Sequence, residues 1–367
     1  MFYLFKRHLL RCSFFALFFI YFIEVMSMRF FLWVFLLFSA PLFSTTVSSP
    51  VTVPARAFIV MEQSKGEVLE GKDVYQIRSV ASISKIMTAI IALESDHLFD
   101  VVTVGDEIDS VVGSSLYLKK GTQITIIDLV YGLLLRSGND AAMILAQYLG
   151  SGVENFVVKM NEKADQLQMF HSTFHNPHGL DIDDEGNLSC AYDMALLMRY
   201  CLNNPLFRKV CGTEKYQCPQ IGIWHNKHRL SSQYEYFTGG KTGYTSKAKR
   251  TLITSAMKDE MELIVVTLDC GGDFATHRQL FDYYFKQYCF VKFLDRGRNI
   301  VEEYAFFCKE PYGVLLKKEE ALHFIMVYML DPGRYTLSFQ IVFQDGTIKD
   351  CGSTTLENFE YLGRSNA

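Results

Sequence analysis

From about residue 57, short apolar runs separated by a polar turn come first, and apolar positions with a helical period follow. Residues 57–62 and 67–70 flank a Gln-Ser-Lys-Gly turn, which predicts a β-hairpin. Two later apolar runs, 251–256 and 263–268, are typical of strands in a core sheet. Helices are predicted from Ser82 to about Glu94, over 126–135, from Ala141 onward, over 154–168, over 193–202 and near 278–290.

The pattern changes after about residue 293, where the apolar runs become short and turn residues separate them. This predicts a small all-β domain over 293–367 that follows a larger domain over 49–292. A chain of 367 residues is long enough for about two domains. The predicted turns are Pro311-Tyr312-Gly313, Asp331-Pro332-Gly333 and Asp345-Gly346.

Residues 1–48 contain two apolar runs, 14–23 and 30–43, and basic residues precede each run. Each run is shorter than the roughly 20 apolar residues that span a bilayer. The second run begins after Met28 and Arg29 and ends in small residues, which is the pattern of a secretory signal peptide. We therefore expect export, with translation that begins at Met28 (or at Met26). The alternative is an uncleaved N-terminus that holds the protein at the membrane.

Composition excludes several classes of function. The formal net charge is −4, so no basic excess favours nucleic acid. The nine cysteines form no C-x-x-C pair, which argues against zinc ribbons and thioredoxin-like sites. In an exported protein some cysteines could pair, and four of them lie close enough for a local bridge: Cys190, Cys201, Cys211 and Cys218.

Three short motifs carry candidate nucleophilic chemistry. Ser82-Ile83-Ser84-Lys85 places a serine and a lysine on one face at the start of an apolar helix. Ser137-Gly138-Asn139 lies in a polar loop between two apolar helices, and Lys241-Thr242-Gly243 precedes the core strands. Each motif is common by chance. The ordered set, with each motif in a suitable structural context, is a specific signal.

The set resembles the S-x-x-K, S-D/G-N and K-T-G motifs of the penicillin-recognising serine peptidases. Within them, the chain is most similar to the low-molecular-mass D-alanyl-D-alanine carboxypeptidases of peptidase family S11, over roughly residues 50–290. The resemblance implies an α+β fold of the β-lactamase/transpeptidase-like type, with a helical cluster against an antiparallel sheet and a small all-β domain after it. Further matching segments are 81–88, 137–142, 160–161, 174–180, 225–227 and 240–245.

Acyl transfer from an amide needs an activated nucleophile, a route for the proton and an oxyanion site. Ser82 is the predicted nucleophile. Lys85 must be neutral to accept its proton, and a nearby cation such as Lys241 lowers the pKa of a lysine. Ser137 is predicted to relay a proton to the departing D-alanine, and Asn139 to hold either the substrate backbone or Lys85.

A terminal carboxylate on the substrate needs a cationic site. Lys241 and Thr242 supply a charge and a hydroxyl, which favours carboxypeptidase activity over internal cleavage. Relatives also use an arginine after the K-T-G strand, and Arg278 is the nearest candidate. The alternative for Arg278 is a solvated arginine near the start of a helix.

The strand that contains Lys241-Thr242-Gly243 is also expected to shape the site where the oxyanion of the acyl-transfer reaction is stabilised. Gly243 is predicted to leave room for the substrate along the strand edge. The resemblance implies that the backbone N–H groups of Ser82 and Tyr244 form the oxyanion hole. Tyr244 stands where many relatives have histidine.

Two histidine pairs, His175-x-x-His178 and His225-x-x-His228, have spacings that suit a metal. Both lie in loops and neither has the H-E-x-x-H form, so no metal and no cofactor are expected. His178 and His225 are better suited to ordering loops at the edge of the cleft.

The sequence therefore predicts a serine-type D-Ala-D-Ala carboxypeptidase that acts on peptidoglycan stem pentapeptides through an acyl-enzyme on Ser82. β-Lactams are its expected covalent inhibitors, and the periplasm or the outer face of the cytoplasmic membrane its location. Residues 356–367 are too short and too acidic for a membrane-anchoring helix.

Three alternatives remain open at the level of the sequence. A D,D-endopeptidase on crosslinked peptides would use the same residues. A class A-like β-lactamase needs a glutamate in an E-x-x-L-N loop, and Glu185-Gly186-Asn187 has the wrong form. A penicillin-binding scaffold protein would carry a degenerate site, whereas this set of motifs is complete.

Overall fold

The computed structural model describes residues 50–181, 185–301, 304–309, 311–331 and 333–362. The predicted signal peptide over 1–48, with Met28, lies outside these residues. No helix in the described ranges is long and apolar enough to cross a membrane. The chain forms two compact units that divide between Lys286 and Gln287. The predicted domain boundary at 292/293 lies inside the first strand of the second unit.

The first unit is built on a five-stranded antiparallel sheet with the order β2-β1-β11-β10-β9. The unit's strands are β1 (Ala55–Glu62), β2 (Val68–Lys72), β3 (Arg78–Ser79), β4 (Val101–Thr103), β5 (Gln123–Thr125), β6 (Leu188–Ser189), β7 (Lys215–Cys218), β8 (Gly222–His225), β9 (Phe237–Thr245), β10 (Lys249–Lys258) and β11 (Met261–Cys270).

Helices cover both faces of this sheet, so β10 and β11 are buried along most of their length. On one face, Ile253 joins the large helical core. On the other face, Thr254 bonds His277 of the last helix. The helices are α1 (Lys85–Leu93), α2 (Ile126–Tyr131), α3 (Asn139–Gly150), α4 (Val153–Gln166), α5 (Ala191–Leu202), α6 (Pro205–Gly212), α7 (Leu230–Gln233) and α8 (Asp273–Gln287).

Helix α1 is the centre of the helical cluster. Every one of its residues except Ile91 is buried, which is the pattern of a helix surrounded by other elements rather than lying on a surface. Its N-terminus therefore brings Lys85 into the interior. This arrangement agrees with the predicted α+β class and with the predicted hairpin, which β1 and β2 form.

Several local predictions differ from the structure. The Ser82 helix begins with a 3₁₀ turn (Ala81–Ser84), and the helix after 126 ends in a π-helical turn (Gly132–Arg136). α3 begins at Asn139, two residues before the predicted start. Helix α6 was not predicted, although Asn204 caps it and Pro205 opens it, which is a recognisable start signal.

The helix predicted near 278–290 is wrong at its C-terminal end. α8 stops at Gln287, and Tyr288–Leu294 is strand β12. Aromatic residues suit either state, and pairing with a distant strand over 312–317 decides the outcome.

The second unit is all-β, as predicted. Its strands form a pair β12-β15 and two three-stranded sheets, β13-β14-β19 and β16-β17-β18, around a separate apolar core. Gly346 has a φ of +82° in the turn between β17 and β18. The predicted turn at 311–313 is wrong, because Tyr312 and Gly313 belong to β15. The bounds are β12 (Tyr288–Leu294), β13 (Gly297–Val301), β14 (Tyr304–Cys308), β15 (Tyr312–Lys317), β16 (Phe324–Asp331), β17 (Thr336–Phe343), β18 (Ile348–Thr355) and β19 (Glu357–Tyr361).

The local disulfide considered for the 190–218 region does not form. Cys190, Cys201, Cys211 and Cys218 are all buried thiols. Burial raises the pKa of the Cys211 thiol to about 12.

Candidate active site

A strained turn presents Ser82. Ala81, just before it, is buried and has a φ of 52°, a left-handed conformation that alanine rarely adopts. Ser84 Oγ donates to Ala81 O at 2.8 Å and closes the 3₁₀ turn. Helix α1 follows directly, so Lys85 Nζ lies 3.0 Å from Ser82 Oγ. The predicted serine–lysine contact is therefore present in the structure.

Lys85 is fully buried and has three polar partners. They are Ser82 Oγ, Asn139 Oδ1 at 2.7 Å and the carbonyl oxygen of His178. Burial lowers the pKa of Lys85 well below its ordinary value, and the positive charge of Lys241 lowers it further. The sequence had identified the charge, but the larger effect is burial.

Hydrogen bonds orient the asparagine of the Ser-Gly-Asn loop. Ser137 ends the π-helical turn with a φ of 63°, a second left-handed non-glycine residue at the site. Asn139 Nδ2 donates to Val112 O at 2.6 Å, which leaves Oδ1 for Lys85. Of the two contacts considered for Asn139, the structure contains the one with Lys85.

Lys241 enters the site from the edge strand β9. It is 1% exposed, and Nζ donates to Ser137 Oγ at 3.0 Å and to Thr242 O at 2.7 Å. Burial, and then the charge of Lys227, lower the pKa of Lys241 to about 7. Two buried amines with lowered pKa values therefore lie on either side of the Ser-Gly-Asn loop.

Gly243 marks the closest approach between β9 and the Ser82 turn. A Cβ at Gly243 would lie 2.3 Å from Thr251 Oγ1 and 3.0 Å from the backbone nitrogen of Ser82. The glycine therefore lets the strand contact the turn, in addition to the predicted role of leaving room for substrate. Tyr244 follows with a 65% exposed side chain.

A cleft of about 450 Å³ opens above Ser82 and Asn139. It includes residues that the sequence had not assigned to the site. Lys227 lies within a segment that already matched the family, and Arg136 directly precedes Ser137, whereas Tyr117 carried no signal. The lining residues are Ser82, Gly113, Ser114, Ser115, Tyr117, Arg136, Asn139, Leu180, Lys227 and Tyr244.

Arg278 is not among the residues that line this cleft. Its side chain is 57% exposed on α8, with Nε 3.8 Å from Asp282 Oδ2 and the guanidinium 5.9 Å from the Tyr234 ring centre. These contacts agree with the alternative of a solvated helix arginine.

Two of the four histidines considered for a metal have structural partners instead, namely His178 and His228. His178 Nδ1 accepts from Leu180 N at 3.1 Å, and His228 Nε2 contacts Thr254 Oγ1 at 2.9 Å. Burial lowers the pKa of each of these two histidines to about 3.

In the part of the chain that the structure describes, one group of side chains has the types and spacing to hold a metal: His171, Cys190 and Asp193. Cys190 is the N-cap of α5, and its Sγ accepts from Asp193 N at 3.4 Å. Burial raises the pKa of the Cys190 thiol to about 12, which opposes metal ligation. We therefore interpret the group as a helix cap.

Comparison with known proteins gives a consistent result. A family profile described as D-alanyl-D-alanine carboxypeptidase, peptidase S11, matches residues 44–272. The chain is 30% identical to D-alanyl-D-alanine carboxypeptidase DacF of Bacillus subtilis over 297 residues, 75% of this chain and 76% of the relative. It is 30% identical to D-alanyl-D-alanine carboxypeptidase DacD of Escherichia coli over 308 residues, 77% and 78% of the two chains.

Solved structures establish the fold. Penicillin-binding protein 6B of Escherichia coli superposes with a TM-score of 0.69 at 27% identity, covering 84% of this chain and 96% of that one. Penicillin-binding protein 5 of Haemophilus influenzae gives a TM-score of 0.72 over 85% and 98%, at 24% identity. The predicted β-lactamase/transpeptidase-like fold is confirmed.

Proposed function

The chain belongs to the D-alanyl-D-alanine carboxypeptidase family of serine peptidases, and from this membership we infer that it is a serine-type D-Ala-D-Ala carboxypeptidase with its nucleophile at Ser82. Its substrates are peptidoglycan stem peptides ending in D-Ala-D-Ala, and penicillins acylate the same serine. Ser82, Lys85, Ser137, Asn139, Lys241 and Thr242 have the proposed roles that follow.

The three contacts of Lys85 Nζ are the observation that carries the proposal. A neutral amine has two N–H donors and one lone pair. Asn139 Oδ1 and His178 O can only accept, so both donors are used there. In the neutral form proposed for Lys85, the lone pair is then left for the hydroxyl of Ser82, whose Oγ lies 3.0 Å from Nζ. This is the arrangement that a general base needs before attack.

Acylation follows from this geometry. Ser82 Oγ attacks the carbonyl carbon between the two D-alanines while its proton passes to Lys85. The backbone N–H groups of Ser82 and Tyr244 stabilise the oxyanion. The C–N bond breaks as the leaving amine takes a proton from Ser137 Oγ, and the proton that Lys85 accepted from Ser82 replaces it, so Lys85 is neutral again. Water then hydrolyses the ester and restores Ser82.

Lys241 and Thr242 hold the terminal carboxylate. A buried ammonium favours an anion because little solvent screens the interaction. The carboxylate in turn raises the pKa of Lys241 from about 7 and keeps it protonated in the complex. Lys227 and Arg136 line the cleft, and the charge of Lys227 acts on Lys241, so these residues add positive charge close to this site.

A labelled penicillin and a peptide ending in D-Ala-D-Ala test the proposal. The chain without residues 1–48 is expected to bind the label and to release free D-alanine, and Ser82→Ala is expected to lose both. Ser95→Ala, at the far end of the same helical segment, is the matched control. Label without D-alanine would favour an endopeptidase or a scaffold protein, and rapid penicillin turnover would favour a β-lactamase.

We further propose that the enzyme works outside the cytoplasm, in the periplasm or at the outer face of the membrane. The support is the signal-like pattern of residues 1–48 and a substrate that belongs to the cell wall. Fractionation distinguishes a released protein from one that its N-terminus retains. Enzyme that stays in the cytoplasmic fraction would contradict export.

A further inference from the structure

Asn187 is a buried amide whose hydrogen-bonding capacity is fully used. Its Nδ2 donates to Ser84 Oγ at 2.9 Å and to Asn176 O at 2.8 Å. Its Oδ1 accepts from His175 N at 2.8 Å and from Asn176 N at 3.1 Å. A primary amide offers two donors and two lone pairs, so the side chain has no capacity left. Asn187 is 1% exposed.

One side of Asn187 holds the turn that carries the nucleophile. Ser84 Oγ accepts from the amide and donates to Ala81 O at 2.8 Å. The backbone carbonyl of Asn187 accepts from Val80 N at 3.1 Å, just before the turn. The left-handed Ala81 and the Ser82 that follows are therefore tied to this asparagine.

The other side holds the loop that contacts Lys85. Asn176 Oδ1 accepts from His178 N at 3.3 Å and from Gly179 N at 2.6 Å, which fixes the direction of the His178 carbonyl. The loop packs tightly on the turn, because a Cβ at Gly179 would lie 2.2 Å from Ala81 O. Asn187 therefore connects both structures that define the environment of Lys85.

We infer that Asn187 is a positioning residue for acyl transfer. Its side chain locks the Ser82 turn to the loop that supplies the His178 carbonyl, and so keeps the lone pair of Lys85 directed at Ser82. Asn187 does not touch the substrate or the reacting atoms. The inference rests on the proposed roles of Ser82 and Lys85.

The pH profile is the readout that separates positioning from general stability. Loss of the amide frees the loop and lets water reach Lys85. Burial is the largest cause of its low pKa, so that pKa rises. Lys85 must be neutral, so the acid limb of the acylation rate moves to higher pH. The other groups that act on Lys85 are unchanged: Lys241 of β9, Lys227 of the loop before α7, Asp140 of α3 and the neutral imidazole of His178.

The experiment measures the second-order rate of acylation by a labelled penicillin from about pH 5 to about pH 10. For Asn187→Ala we expect the acid limb to shift up by about one pH unit, so the rate falls about tenfold on that limb and recovers to within about twofold at high pH. Asn204→Ala, which removes an amide that caps α6 through Leu206 N and Phe207 N, is expected to keep the wild-type profile.

Ser84→Ala provides a second variant in case the alanine variant at Asn187 does not fold. It adds no charge and breaks the link between the Asn187 amide and the Ser82 turn, and the same upward shift is expected. An unshifted limb, or a rate that falls by one factor at every pH, would overturn the inference. Label on Ser82→Ala would instead contradict the proposed function, so the two failures are distinguishable.

Discussion

Lys241 Nζ lies 3.0 Å from Ser137 Oγ, so the cation proposed to bind the substrate carboxylate also touches the hydroxyl proposed to carry the proton. A protonated lysine can only donate, so Ser137 Oγ must accept from it. The hydrogen of Ser137 is then left to point elsewhere, and the departing amine is the natural acceptor. Binding of the carboxylate therefore prepares the proton relay.

Removing the charge of Lys241 is expected to abolish the preference for a free carboxylate. A hydrogen bond to a charged group contributes about 1.5–3 kcal/mol, so Lys241→Met should lower kcat/KM on a D-Ala-D-Ala peptide by about 10- to 100-fold. The comparison substrate is the same peptide with a C-terminal amide. Lys119→Met, at an exposed position, is the control. If Lys241→Met kept the wild-type ratio of kcat/KM between the acid and the amide peptide, Lys241 would not be the residue that binds the carboxylate.

The pH dependence of the free energy of unfolding, compared between wild type and Lys241→Met, tests the lowered pKa of Lys241. Burial lowers this pKa to about 7 in the folded protein from an ordinary 10.5. Between these values the unfolded state binds more protons, so the free energy of unfolding rises with pH. Below about pH 7 the cost of the buried charge is complete, and above about 10.5 it is absent.

Lys241→Met lacks this dependence. Urea unfolding should therefore show that the stability of the variant relative to wild type is greatest near pH 7 and declines toward pH 10.5. A difference that does not change with pH would show that Lys241 is not strongly perturbed.

The site was predictable where function depends on side chains at fixed spacing. Ser82 and Lys85 lie one helical turn apart, so their contact follows from the local sequence. The third partner of Lys85 is the carbonyl of His178, and a backbone carbonyl has no sequence signature. The dominant effect on the Lys85 pKa is also tertiary, because it needs helices on every side of α1.

In the fold, too, features encoded by local sequence were predicted, whereas features that depend on distant segments were not. The hairpin of β1 and β2 was predicted because its apolar run and its turn are local features of the sequence. The change from helix to strand at Gln287 was not, because it depends on pairing between β12 and the distant β15. The role of Asn187 was hidden for the same reason, since its partners come from segments far apart in the chain.

Gly243→Ala is expected to separate strand β9 from the nucleophile. The new methyl group would lie 2.3 Å from Thr251 Oγ1 and 3.0 Å from Ser82 N, so the strand or the turn must move. A displacement of this kind would weaken the proposed oxyanion hole, and we expect acylation by penicillin to slow by about 100-fold. Gly271→Ala, where nothing lies within 4 Å of the added Cβ, should acylate like wild type. Equal rates in the two variants would show that the approach of β9 is not tight.

The carboxylate site is expected to depend on Lys227 more than on Arg278. Lys227 lines the cleft and donates to Ser114 Oγ at 3.2 Å, whereas Arg278 is exposed and near Asp282. Lys227→Ala should raise KM for a D-Ala-D-Ala peptide by about fivefold, the upper range for a solvent-accessible ion pair, and Arg278→Ala by less than about twofold.

Each of these two variants serves as the control for the other, since each removes one positive charge from a solvent-accessible side chain. Initial rates over a range of peptide concentrations separate KM from kcat. The reverse order of effects would restore Arg278 as the carboxylate arginine, because a solvated side chain that contacts Asp282 and the Tyr234 ring has no means of changing KM.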